Sequence, residues 1–156
     1  MRFTYFMMIL SMMAFRAEAF DLKGVVVGKP ATLSQIRAAF GARCDWGDAC
    51  RTDIEGVTVK VRVYRDHGVV SMVHADFDSD EFETIEKAAR AKYGKPTGSE
   101  EQQMQNAFGA RFTDRMIYWD DAEGARVMMF KTFDHSWIKV DSAATVKADR
   151  KPKSKM

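Results

Sequence analysis

The sequence predicts an α+β domain: an antiparallel sheet of about five strands with two helices packed on one face. Three observations carry this. Val57, Val59, Val61 and Val63 alternate with Thr58, Lys60, Arg62 and Tyr64, the clearest period-two pattern in the chain, giving a strand with one buried and one wet face. Two segments, 32–41 and 82–94, carry apolar residues at helical spacing between a start signal and a glycine stop. Adjacent strand-like runs are separated by hairpin-length turns, which makes the sheet antiparallel and leaves one apolar face for the helices to cover.

Taken in order, Thr32 and Gln35 form a T-x-x-Q capping box, with Leu33, Ile36, Ala39 and Phe40 as the apolar stripe and Gly41 as the stop. After the valine strand, Asp66-His67-Gly68 is a turn and residues 69–77 are the returning strand of a hairpin. Asp78, Asp80, Glu81 and Glu83 then cluster at the start of a second helix, where negative charge meets the positive end of the helix dipole. Phe82, Ile85, Ala89 and Tyr93 form its apolar face, and Gly94 with Pro96 ends it. Residues 97–106 are polar and read as a loop. Strands follow at 108–112, 115–119, 125–133 and 137–141, with turns at 120–124 and near Asp134.

The chain begins as an exported protein does. Arg2 supplies the positive start, residues 3–15 are apolar apart from Thr4 and Ser11, and Ala17-Glu18-Ala19 is a small-x-small cleavage pattern. The expected division is therefore residues 1–19 as a signal peptide, 20–142 as one α+β domain and 143–156 as a basic, disordered tail. The apolar run is shorter than the roughly 20 residues a bilayer core requires, so a membrane anchor is disfavoured. A periplasmic or secreted location follows. With 46% hydrophobic and 29% charged residues, the chain has the composition of a globular protein.

Charge is uneven. The last ten residues hold Lys147, Arg150, Lys151, Lys153 and Lys155 against Asp149 alone, although the whole chain carries only +2. With no aromatic residue beside these cations to stack on a base, and with export expected, nucleic acid is excluded as a partner. Cys44 and Cys50 share one short segment with Gly47 and two aspartates. In an oxidising compartment this spacing reads as a structural disulfide; it lacks the further ligands of a zinc site and the two-residue gap of a redox motif.

The segments 28–41, GKPATLSQIRAAFG, and 82–96, FETIEKAARAKYGKP, resemble the glycine, capped helix, glycine unit of small exported modules. Modules of this kind occur in the outer-membrane assembly lipoprotein BamE (SmpA) and in the beta-lactamase inhibitor protein; more closely, the chain resembles small exported proteobacterial α+β proteins of unknown function. The resemblance implies helices packed on an antiparallel sheet and action by binding other proteins without catalysis. It transfers no functional residue.

The three histidines are His67, His74 and His135, the first and last in turns. Met72 and His74 share a strand face, and with Met128-Met129 they compose a soft-ligand set, but methionine at strand spacing is better explained by packing. Asp76, Asp78 and Asp80 imitate the opening of a calcium loop, which fails at Glu81, where glycine is required, and at Lys87, where the bidentate glutamate belongs. No nucleophile elbow, phosphate loop, dinucleotide fingerprint or zinc helix is present. The expected function is a non-catalytic protein-binding or inhibitor-type module for another envelope protein, with no cofactor, no metal and no catalytic residue assigned. Candidate binding residues are Trp46, Tyr64, Tyr118, Trp119 and Trp137, large side chains that bury well at low entropy cost. A small carboxylate-driven hydrolase of envelope polymers, or an accessory domain of an envelope assembly, is the alternative.

Overall fold

The computed structural model describes residues 19–41, 44 and 49–150. The expected signal peptide as far as residue 18, Trp46 and the end of the basic tail lie outside the described residues. In order, the elements are β1 (Asp21–Leu22), β2 (Val25–Val26), α1 (Leu33–Phe40), β3 (Ala49–Ile54), β4 (Val57–Asp66), β5 (Val69–Phe77), a 3-10 turn (Ser79–Glu81), α2 (Phe82–Tyr93), β6 (Gly98–Gln105), β7 (Arg111–Asp120), β8 (Arg126–Lys131), β9 (Ser136–Asp141) and α3 (Ala143–Asp149).

β1 and β2 form a small hairpin of their own. The other seven strands make one antiparallel sheet in the order β3-β4-β5-β9-β8-β7-β6. The chain lays down β3, β4 and β5 as a meander. It then crosses by way of α2 to the far edge and returns through β6, β7 and β8, so that β9 closes the sheet against β5. Two-residue turns at Glu55-Gly56 and His67-Gly68 join the first three strands, and both residues of each turn have positive φ, the backbone whose twist matches a hairpin.

This overturns the expectation of about five strands with two helices on one face: there are seven strands, a separate two-stranded hairpin and a third helix. The differences have physical causes. β6 has no apolar alternation because nearly all of its residues are exposed. Apolar alternation is weak in β3, where Cys50, Thr52 and Ile54 face inward in place of a valine row. The two short runs expected at 108–112 and 115–119 are one continuous strand, β7, beginning at Arg111. α3 occupies residues assigned to the tail. It is capped by Ser142, whose Oγ accepts from the Thr145 N–H, and Val146 is its buried residue.

The core lies between α1, α2 and one face of the sheet. Val59 and Val61 of β4, Val73 of β5, Ile117 of β7, Val127 and Met129 of β8 and Val140 of β9 are completely or almost completely buried, together with Ile36 and Phe40 of α1 and Phe82 and Ile85 of α2. Burying each such side chain contributes about 1.5–3 kcal/mol. The α1 start is built as expected: Thr32 Oγ1 accepts from the Gln35 N–H and Gln35 Oε1 accepts from the Thr32 N–H. The acidic residues also stand at the α2 start as expected, with Glu81 at the N-cap and Glu83 in the first turn. They make no side-chain cap; instead Glu83 receives Lys131 Nζ at 2.8 Å, which holds its carboxyl below the usual range, and Glu86 is clamped by Arg90 and Arg115. Arg115 and Lys131 also lie over the Phe82 ring, so charged stems and an aromatic together fasten α2 to β7 and β8.

Trp119 closes the other end of α2. It is 2% exposed and Nε1 donates to the Gly94 carbonyl, with the Tyr93 ring tilted against it at 6.0 Å. Burial, and then the charge of Asp21, push the Tyr93 hydroxyl well above the usual tyrosine range, and that hydroxyl donates to the Asp21 carbonyl. Cys44 and Cys50 are joined by a disulfide at the start of β3. A ring this small contributes about 2 kcal/mol on the loop-entropy argument. Among the described residues no helix is long and apolar enough to cross a membrane.

Candidate functional site

The period-two alternation that buries one face of the sheet sends the intervening side chains to the opposite face, away from α1 and α2. The strand register arranges them in three rows across the sheet. One row runs Lys60, Asp76, Trp137, Phe130, Met116, Glu100 from β4 to β6. The next runs Arg62, His74, Lys139, Met128, Tyr118, Gly98. The third is Tyr64, Met72, Asp141, Arg126, Asp120. Neighbours across a strand pair are close enough for rings and long side chains to touch.

The centre of this open face is aromatic. Trp137 lies between His74 and Phe130, with ring centroids at 5.6 Å and 5.5 Å. Met116 and Met128 stand beside Phe130 and Tyr118 in the register. These residues are half-buried, whereas Tyr64 at the rim is 43% exposed. Phe112 and Phe133 pair at 5.8 Å on the lower margin, with Phe133 75% exposed.

Gly98 lets Tyr118 lie flat over β6, since a Cβ at that position would overlap the ring. Arg126 covers the same ring at 4.8 Å while donating twice to Asp120, at 2.6 and 2.9 Å, and this pairing holds Asp120 below the usual carboxylate range. Asp141, beside Arg126, accepts Lys139 at 2.9 Å. Burial nevertheless pushes its pKa up, and its Oδ1 has no hydrogen-bond partner among the described residues. α3 packs at this end of the face: Thr145 Oγ1 donates to the Ser71 carbonyl of β5, and Asp149 and Arg150 come within electrostatic reach of Asp141 and Asp120.

Of the residues singled out from sequence, Tyr64, Tyr118 and Trp137 therefore share the open face, Trp119 packs in the core on the opposite face, and Trp46 lies outside the described residues. Sequence reasoning missed His74 and Phe130 as ring neighbours of Trp137. The signal was present: the same alternation that points Met128 outward points Phe130 outward, and β9 carries Trp137 next to it.

The aspartates of the face are paired with basic side chains. Asp76 is held by His74 at 2.9 Å and approached by Arg62 at 3.8 Å, Asp120 by Arg126, and Asp141 by Lys139. Among the described residues no group of three His, Cys, Asp or Glu side chains is placed to hold a metal ion. The chain matches no protein-family model, no curated protein and no solved structure.

Proposed function

We propose that the protein is a non-catalytic, exported binding or inhibitor-type module that docks another envelope protein on the open face of its sheet. The observation that carries this is the placement of Trp137, stacked between His74 and Phe130 on a face that α1 and α2 leave uncovered. Aromatic side chains packed at the centre of a patch and ringed by charge are the pattern of a binding hot spot. The Cys44–Cys50 disulfide and the leader-like residues 1–19 support delivery to the periplasm or beyond. The hydrolase reading has less support, because Asp76, Asp120 and Asp141 are each engaged by a basic side chain.

The test is comparative capture from envelope extract using the wild-type protein, Trp137→Ala and the core-side exposed variant Leu33→Ala. One specific protein should be recovered with wild type and with Leu33→Ala but not with Trp137→Ala, whose circular dichroism stays native. Recovery of the same protein with all three baits would remove the open face as the docking site.

A further inference from the structure

The two edges of the sheet are unlike. The β3 edge is guarded: Lys23 Nζ reaches over it to the Asp53 carbonyl at 2.7 Å and to Thr52 Oγ1 at 3.1 Å, and Cys44 bridges to Cys50 beside it. The β6 edge has no such cover among the described residues. β6 runs for eight residues without proline or lysine, two of the devices that keep an edge strand from pairing; its two charges are Glu100 on the open face and Glu101 on the helix side, where Arg115 lies 3.6 Å away. All but one of its residues are exposed, so its side chains give it little reason to stay extended. From Gln102 to Gln105 it pairs with 111–114 of β7, which lie beyond the β7–β8 pairing, so this end is a two-stranded ribbon, marginal in water by itself, that a lateral partner would complete.

The hydrogen-bond phase shows what β6 offers. The Asn106 N–H turns inward to the Ala110 carbonyl, and on β7 the Asp120 N–H turns toward Thr97. By strict alternation the backbones of Ser99, Glu101, Gln103 and Gln105 turn outward from the sheet.

We infer that β6 pairs antiparallel with β6 of a second copy of this chain, about a two-fold axis perpendicular to the sheet at Gln102. Such an axis keeps both open faces on one side, so it pairs only residues that share a face. Registers centred on Glu100 or Glu101 set a carboxylate against its own copy. The register centred on Gln102 is the longest overlap free of such a clash: Ser99 meets Gln105, Glu100 meets Met104, and Glu101 meets Gln103. All four outward-facing backbones then find partners, giving about eight hydrogen bonds across the axis. Arg115, 3.6 Å from Glu101, offsets the acid that remains. The same register carries the turn bearing Phe108, 97% exposed, toward the Lys95-Pro96 corner of the other copy. The helices do not intervene, because β6 is not covered by α1 or α2. The result is one continuous sheet whose two aromatic patches face the same way. This holds whichever molecule the open face takes.

Sedimentation equilibrium of the full chain, purified as the cell delivers it, tests the pairing. The mass of two chains is expected at about 100 μM. Gln103→Pro removes an outward N–H, along with the Gln103 Nε2 bond to Thr113 of β7, while leaving the β6–β7 backbone hydrogen bonds in place, and should weaken association about tenfold or more. Gln102→Glu and Gln102→Lys each place like charges on the axis and should each weaken it several-fold, and an equimolar mixture of the two should restore it. Gln102 is an exposed side chain, so this pair of variants decides the matter even if the proline variant fails to fold. A wild-type monomer at that concentration, or a dimer indifferent to the Gln102 charges and to their mixing, overturns the assignment.

Discussion

On the open face, β4 and β8 follow the same alternation and reach different environments. Thr58, Lys60, Arg62 and Tyr64 of β4 are all exposed, whereas Arg126, Met128 and Phe130 of β8 are half-buried although they point away from α1 and α2. What shields the β8 side chains is one another and their neighbours: Trp137 against Phe130, and Arg126 over Tyr118. A partly buried aromatic patch lies over the middle of the sheet, with the paired charges of Asp76, Lys139 and Arg126 beside it and the exposed Lys60 and Arg62 at its β4 margin. Here burial comes from side-chain crowding, with neither α1 nor α2 covering the patch.

The sharpest way to break this comparison is to empty each face of its tryptophan in turn. Trp119→Ala opens the core and loses the Nε1 bond to Gly94, so it should cost about 3–5 kcal/mol in denaturant unfolding. Trp137→Ala removes a half-buried ring from the other face and should cost about 1 kcal/mol, within the range of ordinary substitutions. Equal losses would mean that both faces are core. Next in size is Glu86→Ala, which leaves Arg115 and Arg90 without the carboxylate that ties α2 to β7. A loss of about 2 kcal/mol is expected in the same measurement, with little change from Glu86→Gln if hydrogen bonding rather than charge is what matters.

The smallest effects should come from two neighbouring aspartates, and their signs should oppose. Asp141 is held above the usual carboxylate range by burial, so its charge costs stability at neutral pH and that cost fades as pH falls through its raised folded pKa. Asp141→Asn should therefore raise Tm at pH 7, by an amount that shrinks in acid. Asp120 is held below its usual range by Arg126, so it contributes stability above its unfolded pKa that is lost as pH falls through the depressed folded value. Asp120→Asn should lower Tm at pH 7 and make little difference below that range. Melting curves across the acid range check both signs.

How much could be read from the sequence follows the same division. β4 was legible because polar residues separate its valines, and α1 because Thr32, Gln35 and Gly41 mark both ends; each matched the structure closely. β5 and α2 were legible for similar reasons. β6 was hidden because alternation reports a buried face, and GSEEQQMQ buries neither. α3 was hidden by the charge of Lys147 and the residues after it, which masked a Ser142 cap and a single buried valine. Within the candidate site, Tyr64 lies on a strand whose alternation fixes its face. Trp119 ends the apolar run Met116-Ile117-Tyr118-Trp119, where alternation is lost and only the register sends it beneath α2, whereas Trp137 shares a face with Lys139 and alternates with Ile138 and Val140, which points it to the opposite side.

The central claim is that the aromatic middle of the open face is where another protein docks, and photo-cross-linking in intact cells addresses it most directly. A photoreactive phenylalanine analogue would be placed at Phe130, at Tyr118 and, on the helical side, at Leu33, which is 42% exposed. Docking on the open face predicts one discrete adduct to a different protein from positions 130 and 118 and none from position 33. Adducts from position 33 alone, or none from 130 and 118 while the protein is folded and exported, would contradict it.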